Sequence, residues 1–217
     1  MPPAGRPPWS LADLLSRPRL APYLTVTSGD PVGALELYNW NAQISSAFHE
    51  SLHYVEIGLR NAMDRQLTVL VGGRGGMPWY LDPVVPLRTP ARRKIEVARA
   101  HATRDGGPEI HGKVVAELML GFWCSLLADE YNRRLWQPCL QYAFDGSVRR
   151  ARLHAALDEL RRLRNRIAHH EPIHNRRLHD DYHRALDTAD RISPLLGARI
   201  RHTSRVPSVL ADRPRAA

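Results

Sequence analysis

The longest regular pattern in the chain is a set of apolar residues between Leu37 and Leu70 that recur mostly in steps of three, four or seven. Its members are Leu37, Ile44, Phe48, Leu52, Val55, Leu59, Met63, Leu67 and Leu70. These steps place the residues on one face of an α-helix, because the helix completes a turn every 3.6 residues. The pattern therefore predicts one very long helix or two helices in line.

Glycine and proline separate this segment from the rest of the chain and are concentrated in residues 72–90, which predicts a structured loop there. The loop contains neither GxGxxG nor GxxxxGK(S/T), so it is not interpreted as a phosphate-binding loop. Strand-like alternation is nearly absent, and the sequence predicts an all-α fold. Shorter helical patterns are found at residues 91–104, 111–131, 133–144, 148–170 and 175–193.

The length of 217 residues suits one domain with a substantial core. We expect a short helix in an N-terminal arm over 1–29, a helical domain over 30–196, and a basic, poorly ordered tail over 197–217. The N-terminus lacks the continuous apolar segment of a signal peptide. The longest apolar run, 114–128, is interrupted by Glu117 and is too short to cross a bilayer. The sequence therefore predicts no membrane partner.

The two cysteines, Cys124 and Cys139, fit neither a disulfide framework nor a CxxC metal spacing. Both lie in apolar helical surroundings, where buried free thiols are common. A reducing compartment suits such thiols, so the expected location is the cytoplasm.

The chain carries a net charge of +9, which favours nucleic acid as a partner because lysine and arginine bind phosphates. Most of the excess lies near the two ends. Within the body, residues 149–166 contain seven arginines but only two acids, Asp158 and Glu159, a local charge of +5 on one predicted helix. Such a run is also typical of an ordinary solvated helix face.

The end of this helix reads LRRLRNRIAHHEP, residues 160–172. When the segment is drawn at 100° per residue, its leucines and Ile167 form an apolar arc, and Arg164 lies within that arc. Arg162 and Arg166 fall on the opposite side, which we expect to face solvent. An arginine that points toward a core requires a carboxylate, a phosphate or a partner chain. Arg164 is therefore a candidate functional residue.

Asn165 and His169 are four residues apart and share a helix face, whereas His169 lies about 140° from Arg164 on an ideal helix. Two arrangements could bring Arg164 and His169 together. The last turn could distort before Pro172, which disfavours helical geometry at the preceding residue. Alternatively, a second chain could complete the site, which predicts a homodimer.

A carboxylate on the first helix offers a partner for this arginine. Glu56 falls within the apolar stripe of the Leu37–Leu70 segment. Its neighbour one turn later, Arg60, is the ordinary local partner, and Arg164 is the alternative. We expect Glu56 to lie within salt-bridge distance of Arg60 or Arg164.

Pairs of histidines four residues apart, His170 with His174 and His179 with His183, could suggest a metal site. HExxH is absent, and helix surfaces rich in histidine produce such pairs readily, so no metal and no cofactor are predicted. Neither a GxSxG motif nor a Cys–His nucleophile context is present.

Three segments together resemble the Abi-like (abortive infection) family of the HEPN superfamily. They are YNWNAQISSAFHESLHYVEIGLRNAM at 38–63, VVAELMLGFWCSLL at 114–127 and LRRLRNRIAHHEPI at 160–173. The similarity spans roughly residues 12–195. The resemblance implies a helical bundle with long antiparallel helices, in which an R-x(4–6)-H motif lies between two domains and cleaves RNA without metal.

By this resemblance Arg164 and His169 are the catalytic pair, and Asn165 is the polar residue that follows the arginine. A histidine can move protons near neutral pH, and an arginine can stabilise charge on phosphate oxygens. The supporting residues are Glu56, Arg60, Asn61 and His170, and His170 could instead cap the end of the helix. The residues expected to contact RNA are Arg161, Arg162 and Arg166.

The resemblance leaves a second function open. Domains of this kind can lose catalysis and act as modules that bind RNA or protein, including paired antitoxins. The retention of Arg164, Asn165 and His169 favours a ribonuclease with a defence or toxin role, working as a homodimer on RNA, with a possible antitoxin or regulatory partner.

Overall fold

The computed structural model describes residues 14–72, 76–104 and 106–214, and every regular element within them is helical. The all-α class predicted from the sequence is therefore confirmed. The α-helices are α1 Arg17–Val26, α2 Pro31–Val71, α3 Thr89–Ala102, α4 His111–Glu117, α5 Leu120–Ser125, α6 Arg150–Ala168, α7 Leu178–Ile192, α8 Pro194–Thr203 and α9 Val206–Ala211.

Helix α2 is a single element of 41 residues and forms the centre of the core. Its first turn is capped by Asp30, whose carboxylate accepts hydrogen bonds from the amides of Val32 (3.0 Å) and Gly33 (2.9 Å). It ends at Val71, and Gly72 after it adopts a left-handed conformation with φ 56°. The apolar residues predicted from Leu37 onward are buried except Leu70, which is partly buried. Of the two alternatives, the single long helix is present.

The helix that carries the basic motif, α6, packs along α2. Its buried residues are Leu153, Leu157, Leu160 and Leu163, and Ile167 is partly buried. Arg164 contacts Glu56, whereas Ile173, further along the chain, contacts Asn41, which lies earlier in α2. The two segments therefore run in opposite senses.

Two helices predicted over 111–131 and 133–144 are not continuous, which corrects the sequence reading. The first is divided between α4 and α5, where Leu118 and Met119 have extended backbones. In place of the second there is a π-type turn and a 3-10 turn, separated at Pro138. Proline has no N–H to donate and clashes with the preceding turn, so Pro138 disfavours a continuous helix over 133–144.

The predicted loop over 72–90 is ordered in its described part. The indole of Trp79 is buried, and its Nε1 donates to Asp64 Oδ1 of α2 at 2.7 Å. Nε2 of His111, the first residue of α4, lies 2.9 Å from the same oxygen. Tyr80 is also buried and stacks on the His111 ring. Asp64 thus fixes both the loop and the start of α4 against α2.

The C-terminal segment is folded, and the prediction of a poorly ordered tail is wrong for residues 197–214. Helix α9 lies on α2 with Val206 and Val209 buried. Trp40 Nε1 donates to the carbonyl of Val209 at 2.7 Å, and the Arg213 guanidinium lies 5.1 Å from the centre of the Trp40 ring. Residues 215–217 lie outside the described part of the chain.

The short helix predicted within residues 1–29 is present as α1. Its Leu20 and Tyr23 are buried, so it packs on the core. Arg19 on the same helix donates to the carbonyl of His170, just beyond α6. Residues 1–13 of the predicted arm lie outside the described residues. Among the helices of the described ranges, none combines the length and apolar character needed to traverse a bilayer.

Candidate functional site

Arg164 is held between α6 and α2 by Glu56. Arg164 Nε lies 3.6 Å from Glu56 Oε2, and the two side chains are 22% and 23% exposed. The contact predicted from the position of Glu56 in the apolar stripe is therefore present. Arg60, the alternative partner, instead donates from Nε to the side-chain oxygen of Asn61 at 3.2 Å.

Glu56 also organises the break between α4 and α5. Its Oε1 accepts a hydrogen bond from the amide of Leu120 (2.9 Å), the first residue of α5, where negative charge is favourable. The carbonyl of Leu118 accepts from Trp123 Nε1 at 2.8 Å. Two side chains therefore satisfy peptide groups that the interrupted helix leaves free. Glu56 consequently links α2, α5 and α6.

Arg164 and Asn165 open on a cleft of about 730 Å³ between α3, the α4–α5 break and α6. The cationic groups that line the cleft with Arg164 are Arg93, Lys94 and Arg161, and His101 and Glu117, which lie 3.4 Å apart, line it as well. Val97 and Met119 expose apolar surface to it. A cleft that combines cationic groups with apolar surface is suited to a ligand that carries phosphates and flat bases.

His169 lies at the end of α6 and is exposed. Its amide still donates to the carbonyl of Asn165 at 3.0 Å, which is the regular α-helical bond. The helix is therefore undistorted up to His169, and this residue does not line the cleft that Arg164 and Asn165 share. Of the two arrangements that could join Arg164 and His169, distortion of the last turn is not observed.

His170 closes the helix through its backbone. It has φ 54°, a left-handed conformation that is unfavourable for a residue with a Cβ. Its amide donates to the carbonyl of Ile167 (3.0 Å), and the amide of Glu171 donates to the carbonyl of Arg166 (2.8 Å). These two bonds form the motif that usually places glycine at the position of His170.

Sequence reasoning missed Asn41, which fixes the segment after the motif helix. Its Oδ1 accepts from the amides of Ile173 (2.8 Å) and His174 (3.1 Å), and the residue is only 6% exposed. The sequence did contain an indication of this role, because Asn41, like Glu56, is a polar residue within the apolar stripe of α2. What the stripe could not reveal is a partner more than a hundred positions away.

The three arginines predicted to contact RNA each face a carboxylate. Arg161 pairs with Asp158 at 2.7 Å, and Arg162 pairs with Asp158 and Glu159 at 2.9 and 3.1 Å. The hydrogen bond from Arg161 lowers the pKa of Asp158 below its usual range. These contacts neutralise much of the local positive charge, although Arg162 remains exposed.

Arg166 departs from the position predicted for it. Its side chain is only 33% exposed, and Nε is buried, 3.5 Å from Glu171 Oε2 and without a hydrogen bond among the described residues. The sequence placed it on the solvent side, opposite the apolar arc. The turn after α6 folds back over this side of the helix, and helix periodicity alone does not predict such a turn.

The histidine pairs considered for metal binding do not assemble a ligand cluster. Within the described ranges, no group of three or more histidine, cysteine or acidic residues is arranged to hold an ion. His174 is buried, its Nε2 has no hydrogen-bond partner there, and its ring lies 5.0 Å from that of Tyr23. Burial, with smaller effects from Arg213 and Arg166, lowers the pKa of His174.

Both cysteines are buried and unpaired, as the sequence suggested. Burial raises the pKa of Cys124 to about 12 and that of Cys139 to about 11, so both are thiols at neutral pH. They are not suited to act as nucleophiles.

Comparisons of the chain with family models, with curated proteins and with solved structures find no match. The functional argument therefore depends on the residues of this chain and on the contacts that they make.

Proposed function

We propose that this protein is a metal-independent endoribonuclease of the HEPN type. One observation carries the proposal. Arg164 is held by Glu56 at the wall of a basic cleft beside Asn165, and an exposed histidine, His169, ends the same helix. A positioned cation and a titratable group near a surface that suits RNA are the requirements of this chemistry.

The Glu56 contact leaves the reactive end of Arg164 available. It engages Nε, and the two terminal nitrogens donate no hydrogen bond to any residue in the described ranges. These nitrogens can stabilise negative charge on the non-bridging oxygens of a phosphate. Asn165 can add a neutral hydrogen-bond donor in the same cleft.

In the proposed reaction, the ribose 2′-oxygen attacks the adjacent phosphorus and the bond from phosphorus to the 5′-oxygen breaks. His169 takes the proton from the 2′-hydroxyl or supplies one to the leaving 5′-oxygen, and a second histidine performs the other transfer. The products are a 2′,3′-cyclic phosphate and a 5′-hydroxyl. DNA lacks the attacking hydroxyl and is not a substrate.

The proposed active unit is a homodimer. Since α6 is regular through His169, Arg164 and His169 of one chain remain on different faces of the helix. A second copy related by a twofold axis can bring its His169 to the Arg164 and Asn165 of the first, and the reciprocal pair then forms by symmetry. The dimer supplies two histidines, one for each proton transfer.

A second candidate function is a binding module without catalysis. The observation that favours it is the separation of His169 from the Arg164 cleft within one chain. In that case the cleft binds RNA or a protein partner, and His169 has no chemical role.

The experiment is incubation of purified protein with mixed cellular RNA in EDTA, followed by chemical mapping of the new ends. We expect cleavage by the wild type, with cyclic phosphate and 5′-hydroxyl ends, and loss of cleavage in Arg164→Ala and His169→Ala. Arg177→Ala and His179→Ala, which replace exposed residues outside the cleft, serve as matched controls. Equal inactivity of all five proteins would favour the binding module.

The biological part of the proposal is a toxin-like role in defence, with action in the cytoplasm and a possible antitoxin or regulatory partner. Induced expression should arrest growth, and His169→Ala should relieve the arrest at equal protein levels. Arrest that is unchanged by His169→Ala would contradict a toxic ribonuclease.

A further inference from the structure

A second groove, of about 390 Å³, lies between α2 and the end of α6 and shares no lining residue with the Arg164 cleft. We call it the Asn41 groove. Its depth comes from small side chains on α2, Ala42, Ser45 and Ser46, and its wall includes Tyr38 and His170. The volume falls near the lower end of the range for small-molecule sites, about 300–1,000 Å³.

The groove contains a buried polar group with unused hydrogen-bonding capacity. Asn41 is more than nine-tenths buried, and its Oδ1 accepts two backbone amides. Since both partners are donors, this atom must be the oxygen, which fixes the orientation of the amide. Nδ2 donates no hydrogen bond to any residue in the described ranges, and it is not among the fully buried atoms that lack a partner there. Since Asn41 lines the groove, this donor is available to an acceptor atom of a ligand.

We propose that the Asn41 groove binds one unpaired nucleobase of the RNA substrate, next to the phosphate that is cleaved. This inference rests on the proposed ribonuclease function and adds its base-binding subsite. His170 lines the groove and follows His169 directly in the chain, so a nucleotide in the groove lies beside the proposed catalytic histidine. Sequence-specific proteins commonly read RNA through such unstacked bases.

The state of the Asn41 amide decides how a base can bind. A free asparagine reads adenine with both its oxygen and its nitrogen. In this protein the oxygen is occupied by Ile173 and His174, so the amide can only donate. It can therefore donate one hydrogen bond to a carbonyl oxygen of uracil, cytosine or guanine or to a ring nitrogen of adenine, and the two-bond match to adenine is lost. The Tyr38 ring in the wall provides a surface against which the base can pack.

The test measures binding without cleavage. Fluorescein-labelled 2′-O-methyl oligonucleotides of uridine, cytidine or adenosine are titrated with the wild type and followed by fluorescence polarisation. The 2′-O-methyl group blocks the attacking oxygen, so the probes stay intact. We expect all three probes to bind, because each base offers one acceptor to the Asn41 amide.

Two tryptophan variants test whether the probes bind in the groove. Ala42→Trp fills it, whereas Gln43→Trp places the same side chain on the neighbouring exposed position of α2, outside the groove. We expect Ala42→Trp to weaken the uridine probe about tenfold or more, the usual effect of losing one stacked base, and Gln43→Trp to leave it unchanged. Asn41→Asp keeps the acceptor for Ile173 and His174 but removes the donor, and should weaken each probe by several-fold, the effect of one lost hydrogen bond.

The outcomes separate this inference from the proposed function. No binding of any probe, or an Ala42→Trp variant that binds like Gln43→Trp, overturns the subsite. If binding depends on the groove but the protein cleaves no unmodified RNA, the subsite is supported and the proposed ribonuclease activity is contradicted. Thermal unfolding of each variant identifies any that fails to fold, and Ala42→Trp remains informative if Asn41→Asp is unstable.

Discussion

Glu56 and Arg164 face each other across two antiparallel segments, 108 positions apart in the sequence, with 3.6 Å between Oε2 and Nε. Both side chains are less than a quarter exposed, and the second oxygen of Glu56 accepts the amide of Leu120. One carboxylate therefore contributes to the position of the proposed catalytic arginine and to the shape of the cleft beside it.

Removal of this carboxylate should destabilise the fold. Glu56→Ala leaves Arg164 without its partner and the amide of Leu120 without its acceptor, and we expect a loss of about 1–3 kcal/mol in the free energy of unfolding. Glu56→Gln keeps an acceptor and should lose less. Urea unfolding measures both, with Glu96→Gln on the exposed side of α3 as the control. A Glu56→Ala protein as stable as the wild type would contradict this account of the site.

The left-handed conformation of His170 predicts a stabilising substitution. His170→Gly should raise the free energy of unfolding by about 1 kcal/mol, because glycine adopts φ near 54° without the Cβ penalty. His169→Gly should have the opposite effect, since His169 has negative φ and gains nothing from glycine. Chemical denaturation of the two variants tests the pair, and a destabilised His170→Gly protein would show that its side chain stabilises the turn.

Acid should weaken the fold through His174. Its pKa is lowered in the folded state, so between that value and the ordinary value of 6.5 the unfolded chain binds a proton that the folded chain does not. The contribution of His174 to the free energy of unfolding is fully present above about pH 6.5 and decreases as the pH falls below that value. Glu50, Asp158 and Asp190, whose pKa values are lowered, lose their contribution only in stronger acid.

The measurement for His174 is urea unfolding at neutral pH and at about pH 5.5. His174→Phe keeps an aromatic ring beside Tyr23 and removes the titrating group, so it should lose less stability on acidification than the wild type. His179→Phe, at an exposed position of α7, should behave like the wild type. An identical acid loss in the wild type and in His174→Phe would assign the effect to other groups.

The homodimer proposal predicts that an inactive copy disables its wild-type partner. If the His169 of each chain performs one of the two proton transfers, a heterodimer of wild type and His169→Ala lacks one of them. Random exchange between equal amounts should leave about a quarter of the dimers with both histidines, so the wild-type protein keeps about half of its rate. The two proteins are denatured and refolded together and assayed on RNA, beside the wild type refolded alone. A mixture that keeps the full rate after verified subunit exchange would place the whole site in one chain.

The folded C-terminal segment predicts a marked effect of truncation. A chain that ends at Thr203 loses α9 and exposes the surface that Val206 and Val209 cover, and roughly 3–5 kcal/mol of stability should be lost. A chain that ends at Ala211 keeps those contacts and loses the position of Arg213 over Trp40, which should cost no more than about 1 kcal/mol. Thermal unfolding compares the two truncated chains with the full-length chain. Similar melting temperatures for the chain that ends at Thr203 and the full-length chain would contradict a stabilising role of α9.

The sequence was most informative where one helix determines the geometry. The apolar stripe of α2 predicted both its helical structure and the inward position of Glu56, because residues three or four apart share a face whatever surrounds them. Arg164 could be selected in the same way. Even the separation of Arg164 from His169 follows from the helical angle alone.

Features that depend on distant contacts could not be read in this way. The break before Leu120 is stabilised by Glu56 and Trp123, and the order of the C-terminal segment depends on Trp40. No local pattern specifies such partners. The left-handed His170 was equally hidden, because the usual sequence signal at that position is glycine.

Three polar residues of α2 each fix a different part of the chain. Asn41 holds the turn after α6, Glu56 holds Arg164 and the start of α5, and Asp64 holds the loop at Trp79. They are separated by about 22 and 12 Å along the helix axis. A one-residue insertion between Asn41 and Glu56 would shift the two anchors by about 1.5 Å and turn them by about 100° relative to each other. The length of α2, as much as its composition, is therefore under constraint, and this helix should tolerate substitutions at its exposed positions far better than insertions or deletions.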